Sequence, residues 1–180
     1  MLLVAYLDTI AGRNGVLTAD HEAFLRKMIR VSDNDAASAI YAHVGAKGLR
    51  EIADRAGMAD FAVSDNWGSA RITAADQARL FSQLPELTDA RYLAYVRTLL
   101  SSVAPKQSWG IPSISRPEWQ TFFKGGWLTS GRGNLVHQAA RLEKGDRSLA
   151  IVILTDRNPS DEYGRGTIAG ITKRLIGPRS

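Results

Sequence analysis

Residues 28–38 read MIRVSDNDAAS, and this stretch carries the most information about the fold. Apolar residues at helical spacing precede it and small residues follow it, so the pattern predicts a Ser-Asp-Asn turn between two helices. Ser32 or Asp33 is suited to cap the second helix, because a short polar side chain can accept a hydrogen bond from a free first-turn N–H. The tripeptide recurs at residues 64–66, where a predicted loop favours an ordinary turn.

A second short motif, Lys124-Gly125-Gly126, opens a predicted strand far along the chain. Acyl transfer needs a cation beside the attacked carbonyl, and a residue without Cβ lets a substrate approach the backbone closely. The simpler interpretation is an exposed strand lysine followed by bulge glycines.

These two motifs, in this order, resemble two of the three motifs of serine β-lactamases and penicillin-binding proteins. The likeness is greatest to class A β-lactamases, in which Ser-Asp-Asn-x-Ala-Ala precedes a helix. A Gly-x-x-x-Leu and a Gly-Met then follow in that family, and residues 45–49 and 57–58 match them here. The resemblance covers nearly the whole chain. It implies one α+β domain of the β-lactamase/transpeptidase type over residues 1–180, with its N-terminal part missing.

The resemblance also implies roles for individual residues. Ser32 would relay a proton to the leaving nitrogen, and Asn34 would hold the substrate amide. Lys124 would orient Ser32 and the substrate anion. Gly126 would let the substrate lie against the strand, and the Trp127 N–H would help to bind the oxyanion.

One position of the second motif departs from the family pattern. Gly125 stands where the family has a hydroxyl residue that helps to hold the substrate carboxylate. We expect Arg132, or alternatively Thr129 and Ser130, to substitute for that hydroxyl.

The third motif of the family, Ser-x-x-Lys, is absent, since none of the six lysines has a serine three residues before it. The resemblance places the nucleophile directly before the apolar helix at residues 1–11. We therefore expect two N-terminal strands and the nucleophile turn to be missing, and this stretch to be inert in acyl transfer. The coding sequence upstream of Met1 would test this expectation.

A further departure concerns deacylation. Class A enzymes carry a glutamate in the loop after the Gly-Met. Between Met58 and Thr73 the only carboxylates are Asp60 and Asp65. Without a base to activate water, we expect an acyl-enzyme to hydrolyse slowly even if the nucleophile were restored.

Helices are predicted through the first half of the chain and strands in the second. Thr18, Thr73 and Thr88 are predicted helix caps, and Gly57 is a predicted helix end. The predicted helices cover residues 1–11, 19–30, 35–43, 46–56, 74–84, 89–103 and 163–175, and the predicted strands cover 119–128, 135–142 and 148–155. Turns are predicted at residues 131–133 and 144–146 between these strands.

The last predicted strand carries the continuous apolar run Ile151–Leu154, which is typical of a strand covered on both faces. Three strands leave its outer edge bare, and natural proteins avoid such edges. This suggests that more sheet belongs on the fold, and that residues 1–180 alone self-associate through that edge.

The composition of the chain argues against several classes of binding partner. The chain has 44% hydrophobic and 23% charged residues, a net charge of +5 and no cysteine. Its basic residues are scattered, which disfavours nucleic-acid binding. The apolar start is too short and too soon interrupted to insert in a membrane. His21, His43 and His137 are isolated and lack metal-ligand spacing, so we expect no metal and no cofactor. His137, on a predicted strand, either lines the cleft or is a satisfied structural histidine.

Three functions remain open at this stage. The first is a serine hydrolase or acyltransferase domain acting on a small β-lactam or a peptidoglycan-type amide. The second is a non-catalytic protein of the same fold that binds cell-wall fragments or a protein partner. The third is a basic RNA- or polymer-binding domain. The family usually works outside the cytoplasmic membrane, but residues 1–180 show no export signal.

Overall fold

A computed structural model describes residues 1–177. It has the predicted α+β architecture, with helices first, a three-stranded antiparallel sheet next and a helix at the end. The elements are α1 (Leu2–Gly12), α2 (Ala19–Val31), α3 (Asn34–Arg55), α4 (Ala74–Ser82), α5 (Leu84–Leu87), α6 (Ala90–Ser101), α7 (Ile111–Ile114), β1 (Gln120–Ser130), β2 (Gly133–Lys144), β3 (Arg147–Asn158) and α8 (Asp161–Ile176).

Most helix ends follow from local sequence. Thr18 caps α2 by accepting a hydrogen bond from the backbone N–H of His21, and Thr73 caps α4 through Asp76. Gly57 follows α3 with φ of 66°, a left-handed conformation that costs glycine little. These predictions are confirmed.

Two helix predictions are wrong in detail. The segments 35–43 and 46–56 form one element, α3, interrupted only by the non-helical backbone of Gly45. Asp89, rather than Thr88, caps α6, because the Asp89 carboxylate accepts from the N–H of Arg91. Thr88 instead donates its hydroxyl to the carbonyl of Leu84 in the preceding short helix.

The sheet has the order β1-β2-β3, and its two hairpin turns lie at the predicted positions. Lys124 is paired with Ala139, and Ala139 is paired with Val152. Gly145 has φ of 60°, which suits the two-residue turn between β2 and β3. Strands β2 and β3 extend beyond both of their predicted ends, whereas β1 begins one residue later and ends two residues later than predicted.

The two faces of the sheet are covered unequally. Helix α8 packs closely on one face, where a Cβ on Gly164 would lie 2.5 Å from Val136 Cγ2. On β3 this face buries Ile151 and Ile153, whereas Val152 and Leu154 on the other face are only partly buried. The prediction that the run Ile151–Leu154 is fully covered on both faces therefore holds for one face only.

Helix α1 lies at the centre of the helical half. Residues 3–7 are each at most 4% exposed, which explains the apolar start of the chain. Burying a leucine side chain such as Leu7 stabilises the fold by roughly 1.5–3 kcal/mol. Within residues 1–177, no helix combines the length and the apolar character that crossing a bilayer would require.

Candidate active site

The Ser-Asp-Asn turn is held on both sides by the helices that it joins. Ser32 ends α2 in the left-handed region, with φ of 57° and ψ of 44°, and its N–H donates to the carbonyl of Lys27. This conformation costs a residue with a side chain roughly 1–2 kcal/mol. Asp33 caps α3, since its carboxylate accepts from the N–H of Ala36 at 2.8 Å. The cap that the sequence left open is thus Asp33, and Ser32 is free for another contact.

That contact is with the second motif. Lys124 Nζ donates a hydrogen bond to Ser32 Oγ and a second one, at 2.6 Å, to the carbonyl of Gly125. Ser32 belongs to the helical half and Lys124 to β1, so the two motifs meet where the helices pack against the sheet.

A third side chain, which the sequence analysis missed, completes the contact. Ser32 Oγ donates to Gln107 Oε1 at 2.8 Å, and Gln107 Nε2 donates to the carbonyl of Val31 at 2.9 Å. Gln107 is only 4% exposed. The Ser32 hydroxyl therefore accepts from Lys124 and donates to Gln107, and its orientation is set by both. Nothing in the local sequence around residue 107 signals this role.

The environment of Lys124 favours its neutral form. Burial lowers the pKa of Lys124 from 10.5 to about 8, because removing the ammonium from water destabilises the charged state. Its Nζ also lies 5.8 Å from the centre of the Trp127 ring. An amine with a pKa near 8 can gain or lose a proton close to neutral pH.

Trp109 gives a physical reason for the glycine that replaces the family's hydroxyl residue. A Cβ on Gly125 would lie 3.2 Å from Trp109 Cζ2, so any side chain there would crowd the indole. The Trp109 Nε1–H is buried without a hydrogen-bond partner among the described residues, and the Arg165 guanidinium lies 5.1 Å from the ring centre.

A cavity of about 240 Å³ lies next to Lys124, between the sheet and helices α1 and α4. Its polar wall includes Lys124, Gly126 and His137, and its apolar wall includes Met1 and Leu80. The cavity therefore brings a buried amine and an imidazole to one space.

His137 has a structural partner as well as a place in this wall. Its Nδ1 accepts from the N–H of Thr155 at 3.2 Å. Burial lowers the pKa of His137 and so favours the neutral form of the ring. Both interpretations of this residue, cleft lining and satisfied strand histidine, describe it.

Three of the remaining candidate residues lie beside the Ser32–Lys124 contact in sequence and in the fold. Asn34 is the first residue of α3 and is exposed. A Cβ on Gly126 would have no atom within 4 Å, so the space beside this strand residue is open. Trp127 follows it and is 43% exposed.

The structure does not bring Arg132 to the same place. Arg132 lies in the β1–β2 turn, and six strand steps at roughly 3.3 Å each, followed by two turn residues, separate it from Lys124. The alternative hydroxyls also have other partners. Thr129 Oγ1 donates to Asn134 Oδ1, and Ser130 Oγ donates to the carbonyl of Gly133.

The second Ser-Asp-Asn copy forms the expected turn. The Asn66 side chain accepts from the N–H of Gly68, and the carbonyl of Ser64 accepts from the Tyr41 hydroxyl. Trp67 Nε1 donates to Ser38 Oγ at 3.1 Å and holds this loop on α3.

Both the sequence and the fold of this chain are similar to those of known proteins. Residues 11–177 match the sequence model of the "Beta-lactamase enzyme family". The chain belongs to the β-lactamase enzyme family. A search of curated proteins finds no significant match.

Solved β-lactamase structures share the fold at low sequence identity. A β-lactamase from Sphaerobacter thermophilus is 17% identical with a TM-score of 0.83, and the match covers 98% of this chain and 81% of that one. A β-lactamase from Chitinophaga pinensis is 15% identical with a TM-score of 0.81, over 97% and 80%. The structure of PBP-A is 14% identical with a TM-score of 0.75, and the match covers 97% of this chain and 77% of that one.

Proposed function

We propose that this chain carries the proton-relay half of a serine acyl-transfer site that acts on a β-lactam or a peptidoglycan-type amide. The observation that carries the proposal is the hydrogen-bonded series Lys124, Ser32, Gln107. Membership of the β-lactamase enzyme family supports a hydrolase or acyltransferase domain of this kind.

The proposed reaction uses Ser32 as a relay. When an acyl group is transferred and the C–N bond of the substrate breaks, the leaving nitrogen takes the Ser32 proton. Lys124 then returns a proton to Ser32 Oγ, so the net donor is the ammonium. The lowered pKa of Lys124 suits this step, because the amine can release and recover a proton near neutral pH.

Substrate binding is assigned to the residues next to the relay. Asn34 holds the substrate amide, and the open backbone at Gly126 lets the substrate lie along β1. The Trp127 N–H helps to bind the oxyanion. Arg132 has no role in this proposal, because its position in the β1–β2 turn is remote from Lys124.

The nucleophile must come from outside residues 1–180, since no Ser-x-x-Lys occurs within them. Met1, at the start of α1, lines the same cavity as Lys124. A Ser-x-x-Lys turn joined to that end of α1 would open towards Ser32 and Lys124. A polypeptide of residues 1–180 alone is therefore inert in acyl transfer. Deacylation would be slow in a longer chain as well, because residues 59–72 contain no glutamate.

Two experiments test the proposal. Purified residues 1–180, incubated with a fluorescent penicillin and analysed by mass spectrometry, should carry no covalent adduct. A stoichiometric adduct would mean that another serine, such as Ser32, is activated. In the source DNA, an in-frame Ser-x-x-Lys ending three or fewer codons before Met1 is expected. The longer chain should then acylate, and its Lys124→Ala variant should acylate more slowly.

A non-catalytic protein of the same fold is the second candidate. Two observations favour it: the loop at residues 59–72 lacks the glutamate that the family uses as a base, and Trp109 occupies the space beside Gly125. Such a protein would bind a cell-wall fragment or a protein partner beside Trp127. The absence of any in-frame Ser-x-x-Lys upstream, together with reversible binding of a peptidoglycan fragment, would favour this candidate over the enzyme.

A further inference from the structure

Two histidines that the sequence analysis treated as isolated meet on the surface of the helical half. His21 lies in the first turn of α2 and His43 lies in α3, yet their Nε2 atoms are 3.2 Å apart. The prediction that these histidines are isolated is wrong, because packing of α2 on α3 joins residues 22 positions apart.

The separation of the two nitrogens matches that of two imidazoles sharing one metal ion. With metal–nitrogen bonds of about 2.0–2.1 Å and a tetrahedral angle, two ligating nitrogens lie about 3.3 Å apart. The ring planes are nearly perpendicular, at 82°, and the ring centres are 4.6 Å apart. A linear N–H···N hydrogen bond would hold the centres about 5.5 Å apart, and two imidazoles that share one tetrahedral ion would hold them about 5 Å apart, so the observed arrangement is nearer to the second. The two Nε2 atoms therefore do not point straight at each other, as they would in a linear hydrogen bond.

Neighbouring side chains hold both rings in place. Thr18 Oγ1 lies 3.0 Å from His21 Nδ1, so Nδ1–H can donate to it and leave the Nε2 lone pair for a metal. The buried Tyr6 ring of α1 lies beneath the pair, with ring centres 5.1 Å from His21 and 6.0 Å from His43. His43 is exposed, so an ion can reach the pair from solvent.

We propose that His21 and His43 form a two-histidine site for a divalent transition-metal ion such as Zn²⁺, Ni²⁺ or Cu²⁺. Imidazole nitrogen suits these ions, whereas Mg²⁺ and Ca²⁺ prefer oxygen ligands. No group of three or more His, Cys, Asp or Glu side chains in residues 1–177 could hold an ion. Water completes the coordination, and the affinity is modest, in the micromolar range.

The site would act as a clamp on the helices that present the Ser-Asp-Asn turn. His21 lies eleven positions before Ser32 and His43 lies nine positions after Asn34, so the pair is about 15 Å from the turn along the helices. The turn joins α2 to α3 at one end of α2, and the ion would link the same two helices near the other end of α2. An ion that binds only the folded chain raises its thermal stability by mass action.

Tag-free residues 1–180, titrated with ZnCl₂ in a calorimeter and by thermal unfolding, test the site. We expect one ion per chain and a rise in the unfolding temperature, with no response to MgCl₂. His21→Gln and His43→Gln should each weaken Zn²⁺ binding about tenfold or more. His137→Gln, the matched control at the third histidine, should leave the affinity unchanged. Cu²⁺ bound to the native chain should show an electron paramagnetic resonance spectrum with two nitrogen ligands.

Several results would overturn the proposal. They are no saturable Zn²⁺ binding below millimolar concentration, full binding by the His21→Gln/His43→Gln double variant, or loss of binding in His137→Gln. Circular dichroism of each variant checks folding. If His21→Gln does not fold, the exposed His43→Gln decides alone, and unchanged affinity in that variant excludes the site.

Discussion

Lys124 Nζ donates a hydrogen bond to Ser32 Oγ, although 92 residues separate them in the chain. The contact joins the turn between α2 and α3 to the first strand of the sheet, so it depends on correct packing of the two halves of the fold. It also places an ammonium where burial destabilises charge, and this has measurable consequences for stability.

The pH dependence of stability should report the buried ammonium. The folded-state pKa of Lys124 is about 8 and its ordinary value is 10.5, so between these values only the unfolded state holds the proton. Stability therefore rises with pH across this window and is lowest below pH 8, where both states are protonated. The free energy of unfolding should rise by about 2 kcal/mol between about pH 7.5 and about pH 9.5.

Urea unfolding at the two pH values measures this change. Lys124→Met should remove most of it and leave the smaller rise that comes from the buried Met1 amine, whose pKa burial lowers from 8.0 to about 6. The upper limit stays below pH 10 because burial raises the pKa of Tyr95 to about 12, and that shift acts in the opposite direction at higher pH. Equal pH dependence in the native chain and in Lys124→Met would show that the Lys124 pKa is not lowered.

Gln107→Leu should destabilise the fold although the residue is far from the Ser-Asp-Asn turn in sequence. The change removes the acceptor of the Ser32 hydroxyl and the donor to the carbonyl of Val31. Leaving such partly buried groups unpaired costs about 1–3 kcal/mol. Urea unfolding measures the loss, and Lys106→Gln at the exposed neighbouring position is the control. If Gln107→Leu and Lys106→Gln are equally stable, Lys124 alone is enough to hold Ser32.

Gly110→Ala and Gly166→Ala should change stability in opposite directions. Gly110 has φ of 67°, and a Cβ there would lie 2.5 Å from Gln138 Oε1, which accepts from the N–H of Ile111. Strain and crowding together should cost about 2–4 kcal/mol. Gly166 lies in α8, and a Cβ there would have no atom within 4 Å, so alanine should add up to about 1 kcal/mol. Thermal unfolding of both variants measures the difference. A neutral Gly110→Ala would mean that the segment before α7 rearranges easily.

The parts of the fold that sequence could predict are those with a local physical signal. Thr18 and Thr73 cap helices because their own side chains accept from N–H groups three residues later. Gly145 forms a hairpin turn because the conformation required there suits glycine. The Ser32 and Lys124 assignment came from the order and context of two motifs, rather than from any local signal.

The contacts that sequence could not predict are long-range and have no motif. Asp76 is fully buried and accepts from the N–H groups of Ala59 and Asp60, but its position alone suggests only a first-turn carboxylate. Gln107 joins the site only because the segment after α6 returns beneath Ser32. His21 and His43 meet only once α2 has packed on α3. In each case tertiary packing, rather than local propensity, decides the partner.

The outer edge of β3 should make residues 1–180 self-associate. β3 is the last strand in the order β1-β2-β3, so within residues 1–177 no strand pairs with its outer N–H and C=O groups. Residues 148–155 carry no charge, and Leu149 is 41% exposed. An uncharged apolar edge recruits another chain by strand pairing. Light scattering should give a mass that increases with concentration.

Leu149→Lys should reduce this increase, because a charge on an edge strand opposes pairing. Val16→Lys, at an exposed apolar position outside the sheet, is the matched control and should not change it. Two results together would contradict this prediction: a monodisperse monomer at about 100 μM, and free hydrogen exchange at residues 148–155. They would show that the edge neither pairs nor recruits a second chain.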